Sequence, residues 1–417
     1  MTLLPMWELH HFSDDNQDIT DEGMKISSRP KIKVMSYNIL LPNSQDGWWN
    51  YKMYDPRIEG VQQASQWAAR KNLLKDQIEA ANPDILCLQE VSPLSFHSDF
   101  AFLQELGFDE CFMHNKGRFR PATFFKSIKV SLVFPQRAKD RCIVSLFKEL
   151  SCGSVFCVVN NHLQAGRDTS RRLRQIHEGV DAARKEFNKI KMTDLSDAKI
   201  MVCGDFNDET KSSAVGTFLE TCMYRGDLSG KAKSHPFHPF HDSYAHDPKS
   251  TMVVANLIPL LGADSVSDLL KLKLESAFRR LANESDNAPL QSVRLNQQQI
   301  EEFLKKINGE VGRGSEFRTA TEFMQQNPDK CLTMNDFLQL YERELQNGKY
   351  WGVFSDLYAL GEELELEGRF QARYDYFYTS SFQISAILTT PQLESNEILP
   401  SLRHPSDHLP TGVEVYV

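Results

Sequence analysis

No CxxC pair, no Cys/His array at zinc spacing, no apolar run of about 18 residues and no excess of positive charge occur in the 417-residue chain. Each absence removes a class of protein. Without the Cys/His spacing, a structural zinc module is not expected. The eight cysteines are Cys87, Cys111, Cys142, Cys152, Cys157, Cys203, Cys222 and Cys331. Three of them (Cys87, Cys157 and Cys203) lie inside apolar strand patterns, where cysteine behaves as a small hydrophobe; this suits a reducing compartment. The start MTLLPMWELHHFSDD has no basic stretch leading into an apolar one. The expectation is therefore a soluble, cytoplasmic protein without a membrane span, the nucleus being left open.

The formal net charge of −9 argues against a surface that grips long nucleic acid by bulk electrostatics, because neutralising phosphates takes concentrated Lys and Arg. A local basic site is a different matter. Arg167, Arg171, Arg172, Arg174, Arg184 and Lys185 cluster after the segment VVNNHL, although a solvated helix face accounts for such a run equally well. With 41% hydrophobic and 25% charged residues the chain has ample material for a core, and its length allows two or three domains.

Residues 1–30 are polar and irregular and read as an N-terminal extension. KIKVMSYNIL then has the pattern of a strand, and WWNYKMYDPR that of an aromatic loop. From Gly60 to Ala81 apolar residues recur at helical spacing until Asn82-Pro83 stops them, and DILCLQEV follows as a strand. Strand patterns recur at ATFFKSIKVSLVF, RCIVSLFKEL and SVFCVVNNHL, and a helix over about 169–190 leads to the strand AKIMVCGDF. This alternation predicts a layered α/β core over 31–255 and 370–417. Residues 256–369 carry helix-period patterns almost throughout and read as an all-helical insert.

Polar residues cluster where these strands end: Asn38 in VMSYNIL, Glu90 in DILCLQEV, Asn160 and His162 in VVNNHL, Asp205 and Asn207 in GDFND, and Asp407 and His408 in HPSDHLP. Buried carboxylates, amides and histidines are costly without partners, so their gathering in one cleft predicts a metal and an anionic substrate. Gly204 lets the chain turn so that Asp205 and Asn207 reach one side; a plain strand-ending turn is the competing reading. Glu90, with Asn38 as an amide partner, suits Mg²⁺, which takes one or two carboxylates, waters and phosphate oxygens. His408 can donate to a phosphate oxygen, with Asp375 of RYDYFY as its orienting acceptor.

In this order, SYNIL, LQEV, NNHL, GDFN, YDYFY and SDHLP resemble the endonuclease/exonuclease/phosphatase (DNase I-like) superfamily. The likeness is nearest to the branch of carbon-catabolite-repressor-type deadenylases, nocturnin and angel. It implies a four-layer α/β sandwich, with Glu90, Asn38 and Asp407 at a Mg²⁺ that Mn²⁺ can replace. It further implies that Asp205 activates water, that Asn207 and His162 hold phosphate oxygens, and that Asp375 orients His408. Asn160, Arg167 and Phe370 are the expected substrate contacts; Phe370 stands where deadenylases stack an aromatic on the base. Asn161 replaces the Thr common in that branch, and without the leucine-rich repeat of some deadenylases, recruitment into their complex is not expected.

Within the insert, Leu295 with Ile300 and Phe303 matches Leu332 with Phe337 and Leu340 in phase, 37 residues apart, which resembles paired EF-hands. Calcium is nevertheless not expected. The second loop would offer Gln325, Asn327, Asp329, Thr333 and Asp336, with Lys330 where the turn glycine belongs, and the first would offer Ala288, Leu290 and Gln299. A degenerate, metal-free helical lid or docking module is the preferred reading, with a protein partner as one candidate occupant. The expected function is a monomeric Mg²⁺-dependent phosphodiesterase acting on RNA, as a 3′-5′ exoribonuclease with poly(A) as one candidate substrate. The alternatives are a phosphatase acting on a small nucleotide or phospholipid headgroup, and a catalytically silent calcium-responsive scaffold.

Overall fold

A computed structural model describes residues 4–9, 29–166, 168–226, 232–245, 252–256, 266–285, 288–362, 368–389, 393–394 and 397–417, with backbone alone at 212, 252–256 and 368–371. The chain forms two compact units, one of 1–48, 64–252 and 371–417, the other of 49–63 and 253–370.

In the larger unit the strands that carry polar ends are, in chain order, β1 (Lys31–Asn38), β2 (Ile85–Val91), β3 (Cys142–Glu149), β4 (Val155–His162), β5 (Ile200–Asp205), β6 (Asp375–Ser380) and β7 (Thr411–Tyr416). One sheet runs Met6–Leu9, Gln383–Thr389, β7, β1, β2, Arg120–Phe125, Glu110–Met113. The other runs His241–Asp242, β6, β5, β4, β3, Val130–Leu132, with Arg137–Lys139 also paired to β3. Both contain a parallel pair, β1 with β2 and β4 with β5. Parallel neighbours need a crossover, and helices α1 (Trp67–Ala81) and α2 (Thr169–Lys189) supply them.

The layers follow from which faces are apolar. Val34, Ile85 and Cys87 of one sheet pack on Phe156, Val158, Met201 and Phe377 of the other. On the outer faces, α1 lays Trp67, Leu74 and Ile78 on Met35, Tyr37 and Leu86, and α2 lays Leu173, Ile176, Val180 and Phe187 on Cys157, Val159 and Val202. The result is helix, sheet, sheet, helix, the expected four-layer α/β sandwich. Strands buried on both faces read as continuous apolar runs, as ILCLQEV does.

The helix expected over 60–81 is broken in two. Val61–Ala64 and α1 are separated where the Ser65 carbonyl accepts from Asn43 Nδ2 (2.9 Å) and Gln66 is extended. At its other end α1 stops as predicted, with Asn82 in the left-handed region (φ 41°) and its N–H on the Ile78 carbonyl.

The smaller unit contains helices α3 (Asp268–Ala282), α4 (Gln297–Asn308), α5 (Gly314–Gln326), α6 (Met334–Gln346) and α7 (Tyr350–Ala359). Its core includes Leu274, Phe278, Phe303, Phe337, Leu340 and Leu357. Leu295 pairs with Leu332 in a two-residue antiparallel bridge. Asp336, a candidate calcium ligand, turns its Oδ2 to Asn327 Nδ2 (2.9 Å), Thr333 N (2.9 Å) and Thr333 Oγ1 (2.7 Å), so it serves as a helix cap partner. Residues 49–63, read from the sequence as part of the α/β domain, fold with this unit. Lys52 is buried there between Asp356 (2.8 Å) and Glu316 (3.2 Å), and Tyr51 donates to the Ile307 carbonyl (2.9 Å).

Candidate active site

Strand ends deliver the site. β1 ends at Asn38, whose register partner on β2 is Gln89. One residue on, β2 departs from regular pairing: its register against Arg120–Phe125 shifts between Leu88 and Val91, and Glu90 holds φ 66°. Such a bulge re-aims a side chain at the cost of local strain. Glu90 Oε2 accepts from the Leu41 N–H (3.0 Å), and its Oε1 lies 3.4 Å from Asn38 Nδ2.

On the second sheet, His162, Asp205 and Asp375 are register partners across β4, β5 and β6, so their side chains share one face. Gly204 makes this close pairing feasible. At its φ of 130°, a Cβ would stand 1.9 Å from the Asn161 carbonyl oxygen.

Asn38 joins the two rows. Its Nδ2 lies 2.9 Å from Asp205 Oδ2 and 3.3 Å from His408 Nε2, while its Oδ1 accepts from the Leu40 N–H (3.1 Å). Asn38 thus orients the acids through Nδ2, and Oδ1, which accepts a single hydrogen bond, keeps a second lone pair. His408 donates from Nδ1 to Asp375 Oδ2 (2.6 Å), and its Nε2 stands 3.8 Å from Asp205 Oδ2 and 3.9 Å from Asp407 Oδ2.

The electrostatics separate the roles. Burial, reinforced by the charge of Asp375 and opposed by His408, raises the Asp205 pKa to about 7, where a general base is effective. For His408, burial pulls the pKa down, but Asp375, Asp407 and Asp205 outweigh it and hold the ring well above its usual range, hence charged. Burial, together with the Arg141 charge, lowers His162 to about 3. Its Nδ1 meets the Phe119 carbonyl (2.8 Å), which only accepts, so the neutral ring carries its proton there. Nε2 then faces Asp205 (3.6 Å) and Glu90 (3.9 Å) with a lone pair, contrary to the phosphate-donor role expected of His162.

The remaining expected residues divide. Asn207 gives its N–H to Asp205 Oδ1 (2.7 Å) and its Nδ2 to the Leu163 carbonyl (3.0 Å) and Asp205 Oδ2 (3.2 Å), so it braces the carboxylate. Asn160, expected at the substrate, is fully buried between the sheets: Nδ2 contacts the Ala122 carbonyl (2.8 Å), the Leu88 carbonyl (3.3 Å) and Thr123 Oγ1 (3.2 Å), and its Oδ1 accepts from Gln89 (2.9 Å). It is not brought to the cleft. Arg167 and the side chain of Phe370 lie outside the described residues.

The donor set fits a small hard cation. Burial and the neighbouring Asp407 charge raise the Glu90 pKa, so two carboxylates repel each other here, with the Asn38 amide beside Glu90. Oxygen donors of this kind suit Mg²⁺. Among the described residues no group of three or more His, Cys, Asp or Glu stands at metal-holding geometry. Water and substrate oxygens would complete the shell, as Mg²⁺ prefers.

The family profile described as "Endonuclease/Exonuclease/phosphatase family" matches residues 35–408. The chain belongs to this family. Nocturnin of Rattus norvegicus is 30% identical over 217 residues, 47% of this chain and 48% of its own. The CCR4-Not complex 3′-5′-exoribonuclease subunit Ccr4 of Candida albicans is 26% identical over 298 residues, 59% of this chain and 37% of its own. This chain spans about half the length of the curated nocturnins that it matches. Of solved structures, ANGEL2, a 2′,3′-cyclic phosphatase in complex with adenosine-2′,3′-vanadate, superposes with a TM-score of 0.54 at 16% identity, covering 100% of this chain and 99% of that one. That likeness is one of fold.

Beyond the strand ends, the site rests on a residue for which the sequence reading named no role. Arg70 of α1 is fully buried and donates to the carbonyls of Pro405 (2.8 Å), Ile39 (2.6 Å), Leu41 (3.3 Å) and Leu40. It thus ties the turn after Asn38 to the turn before Asp407. A usable signal existed: Arg70 falls in phase with Trp67, Leu74, Ile78 and Ala81, on a stripe that should be apolar.

Proposed function

We propose that this protein is a Mg²⁺-dependent phosphodiesterase that shortens RNA from its 3′ end. The observation that carries the reading is the convergence on Asn38 of a carboxylate poised near neutrality (Asp205), a charged imidazole (His408) and the desolvated acid Glu90. Held by Glu90 and Asp407, the cation would neutralise phosphate charge and polarise the ester. The other steps belong to side chains. Asp205 takes a proton from the attacking water, Asn207 and Asn38 keep its carboxylate aimed, and His408, held by Asp375, donates from Nε2 to oxygen charge developing on phosphorus. His162 keeps Nε2 unprotonated beside Asp205, so the proton that Asp205 takes up stays on the carboxylate.

The 3′-5′ polarity is supported by the exoribonuclease activity named for the Ccr4 relative. The net charge of −9 favours a second reading, a phosphatase acting on a small nucleotide or a phospholipid headgroup. One substrate panel separates them. With Mg²⁺, 5′-labelled poly(A) or mixed RNA should shorten stepwise from the 3′ end, and Glu90→Ala should abolish this. Intact RNA together with phosphate release from a nucleoside monophosphate would replace the first reading by the second.

A further inference from the structure

The row His162, Asp205, Asp375 has a fourth member. The His162 N–H donates to the Arg141 carbonyl (2.9 Å), continuing the β3/β4 ladder in which Cys142 faces Asn161, so Arg141 stands opposite His162 at the end of β3. The two side chains meet at one acceptor. The Phe119 carbonyl receives His162 Nδ1 at 2.8 Å and Arg141 Nη1 at 3.4 Å, and Phe119 holds φ 56°, a strained conformation for a bulky residue. Arg141 Nη2 donates to Gln164 Oε1 (3.1 Å).

Two acids, Asp140 and Glu90, act on Arg141 here, neither in contact with it. Among the described residues no carboxylate lies within 4.0 Å of Arg141. A second guanidinium, Arg120, stands in register with Val91, next to Glu90. Its Nη1 donates to the Asp140 carbonyl (2.9 Å), its nearest carboxylate oxygen is Asp140 Oδ1 at 4.0 Å, and its buried Nε has no partner. Asp140 is already engaged, since its Oδ2 accepts from Gln175 (2.9 Å). Burial, with the Arg120 charge adding to it, lowers the Arg141 pKa. Two half-buried cations whose acids are Asp140, already hydrogen-bonded to Gln175, and Glu90, which the cation site claims, gain from an anion that joins them, and guanidinium matches phosphate in geometry.

We propose that Arg141, backed by Arg120, forms a second phosphate subsite beside the reaction centre and holds the phosphodiester group adjoining the one that is cleaved. The subsite rests on the phosphodiesterase reading above and narrows it: the preferred substrate carries a second phosphate one nucleotide from the scissile ester. A substrate whose only phosphate is the reacting one leaves Arg141 and Arg120 uncompensated.

The test compares wild type and Arg141→Met, as the full chain with Mg²⁺, on the dinucleotide ApA and the trinucleotide ApApA. The wild type should favour the trinucleotide in kcat/KM by about tenfold or more, mainly through KM, as expected for one charged hydrogen-bonded contact. In Arg141→Met that advantage should collapse towards unity, and Arg141→Lys, which keeps the charge, should retain part of it. An advantage that survives Arg141→Met overturns the assignment. So does an equal loss on both substrates, which would place Arg141 at the scissile phosphate.

A binding arm needs no turnover. In EDTA, calorimetry should find adenosine 3′,5′-bisphosphate bound about tenfold or more tightly than AMP by the wild type, and not by Arg141→Met. Equal affinities in the wild type overturn the subsite even if RNA is cleaved. An Arg141-dependent preference in a protein that cleaves no oligonucleotide keeps the subsite and overturns the RNA reading.

Discussion

His408 Nδ1 and Asp375 Oδ2 stand 2.6 Å apart, both buried, at the junction of the second sheet and the turn that precedes β7. The carboxylate fixes the ring's orientation and, with Asp407 and Asp205, holds it charged against the pull of burial. Nε2 is thereby kept as a proton donor facing Asp205 at 3.8 Å.

Asp375→Asn should therefore lower kcat by about a hundredfold or more while affecting KM less, because the lost support acts on developing charge. The pH profile gives the sharper test. Charged His408 is present below its pKa and lost as pH rises through it, so removing the Asp375 charge moves the alkaline limb to lower pH. The acid limb follows Asp205, near pH 7, and moves the same way, because Asp375 also raises the Asp205 pKa. Profiles of kcat at saturating Mg²⁺ check this; an unmoved alkaline limb would assign it to another group.

Glu90 is kept at a cost in stability. Its pKa is raised in the fold by burial and by Asp407, so its contribution is full at acid pH and falls away as pH rises through the folded value. At pH 7.5 in EDTA, Glu90→Gln should raise Tm by about 2–4 °C, equivalent to roughly 1 kcal/mol in a domain of this size. Adding Mg²⁺ should raise the wild-type Tm and leave the variant unchanged, with activity lost. Thermal scans with and without Mg²⁺ decide it.

The reach of the sequence is clear from particular residues. Glu90, Asp205 and Asp375 were legible because each stands at the end of an apolar strand, where only a cleft can satisfy it, and His408 because it follows a carboxylate in the turn before the last strand. Asn160 was misplaced although its strand was right. It lies two residues from His162, hence on the same face, but one step deeper, between the sheets, and depth leaves no mark in a period-two pattern. The fold of residues 49–63 with the helices was hidden for a related reason: WWNYKMYDPR reads as a polar-aromatic loop, and nothing local shows that Lys52 meets Asp356 some three hundred residues later.

Arg70 supports a third prediction. Replacing it by Met leaves buried carbonyls at Ile39, Leu40, Leu41 and Pro405 without its guanidinium, at a cost of about 2–4 kcal/mol. The turns after Asn38 and before Asp407 would also lose their common tie, so kcat should fall even under conditions in which the variant is fully folded. Arg70→Lys should recover stability only in part, because one ammonium cannot reproduce the planar fork that spans two turns. Urea unfolding and kcat measured at low temperature would separate the two effects; a variant that loses stability but keeps kcat would make Arg70 structural alone.

Lys52 is 2% exposed and sits between two buried carboxylates. Burial, outweighing the help from Lys52, raises the Asp356 pKa to about 7. Lys52→Met would strand Asp356 and Glu316 and should destabilise the helical unit by about 3–5 kcal/mol at pH 8. The same change pushes Asp356 to a still higher pKa, so below pH 7 it takes up a proton and the stranded charge disappears. The deficit should accordingly shrink at pH 5.5, and Asp356→Asn added to Lys52→Met should recover part of it at pH 8. Amide exchange in α7, which carries Asp356, reads this out directly; a deficit independent of pH would mean that lost packing of the Lys52 stem, not its charge, holds residues 49–63 in place.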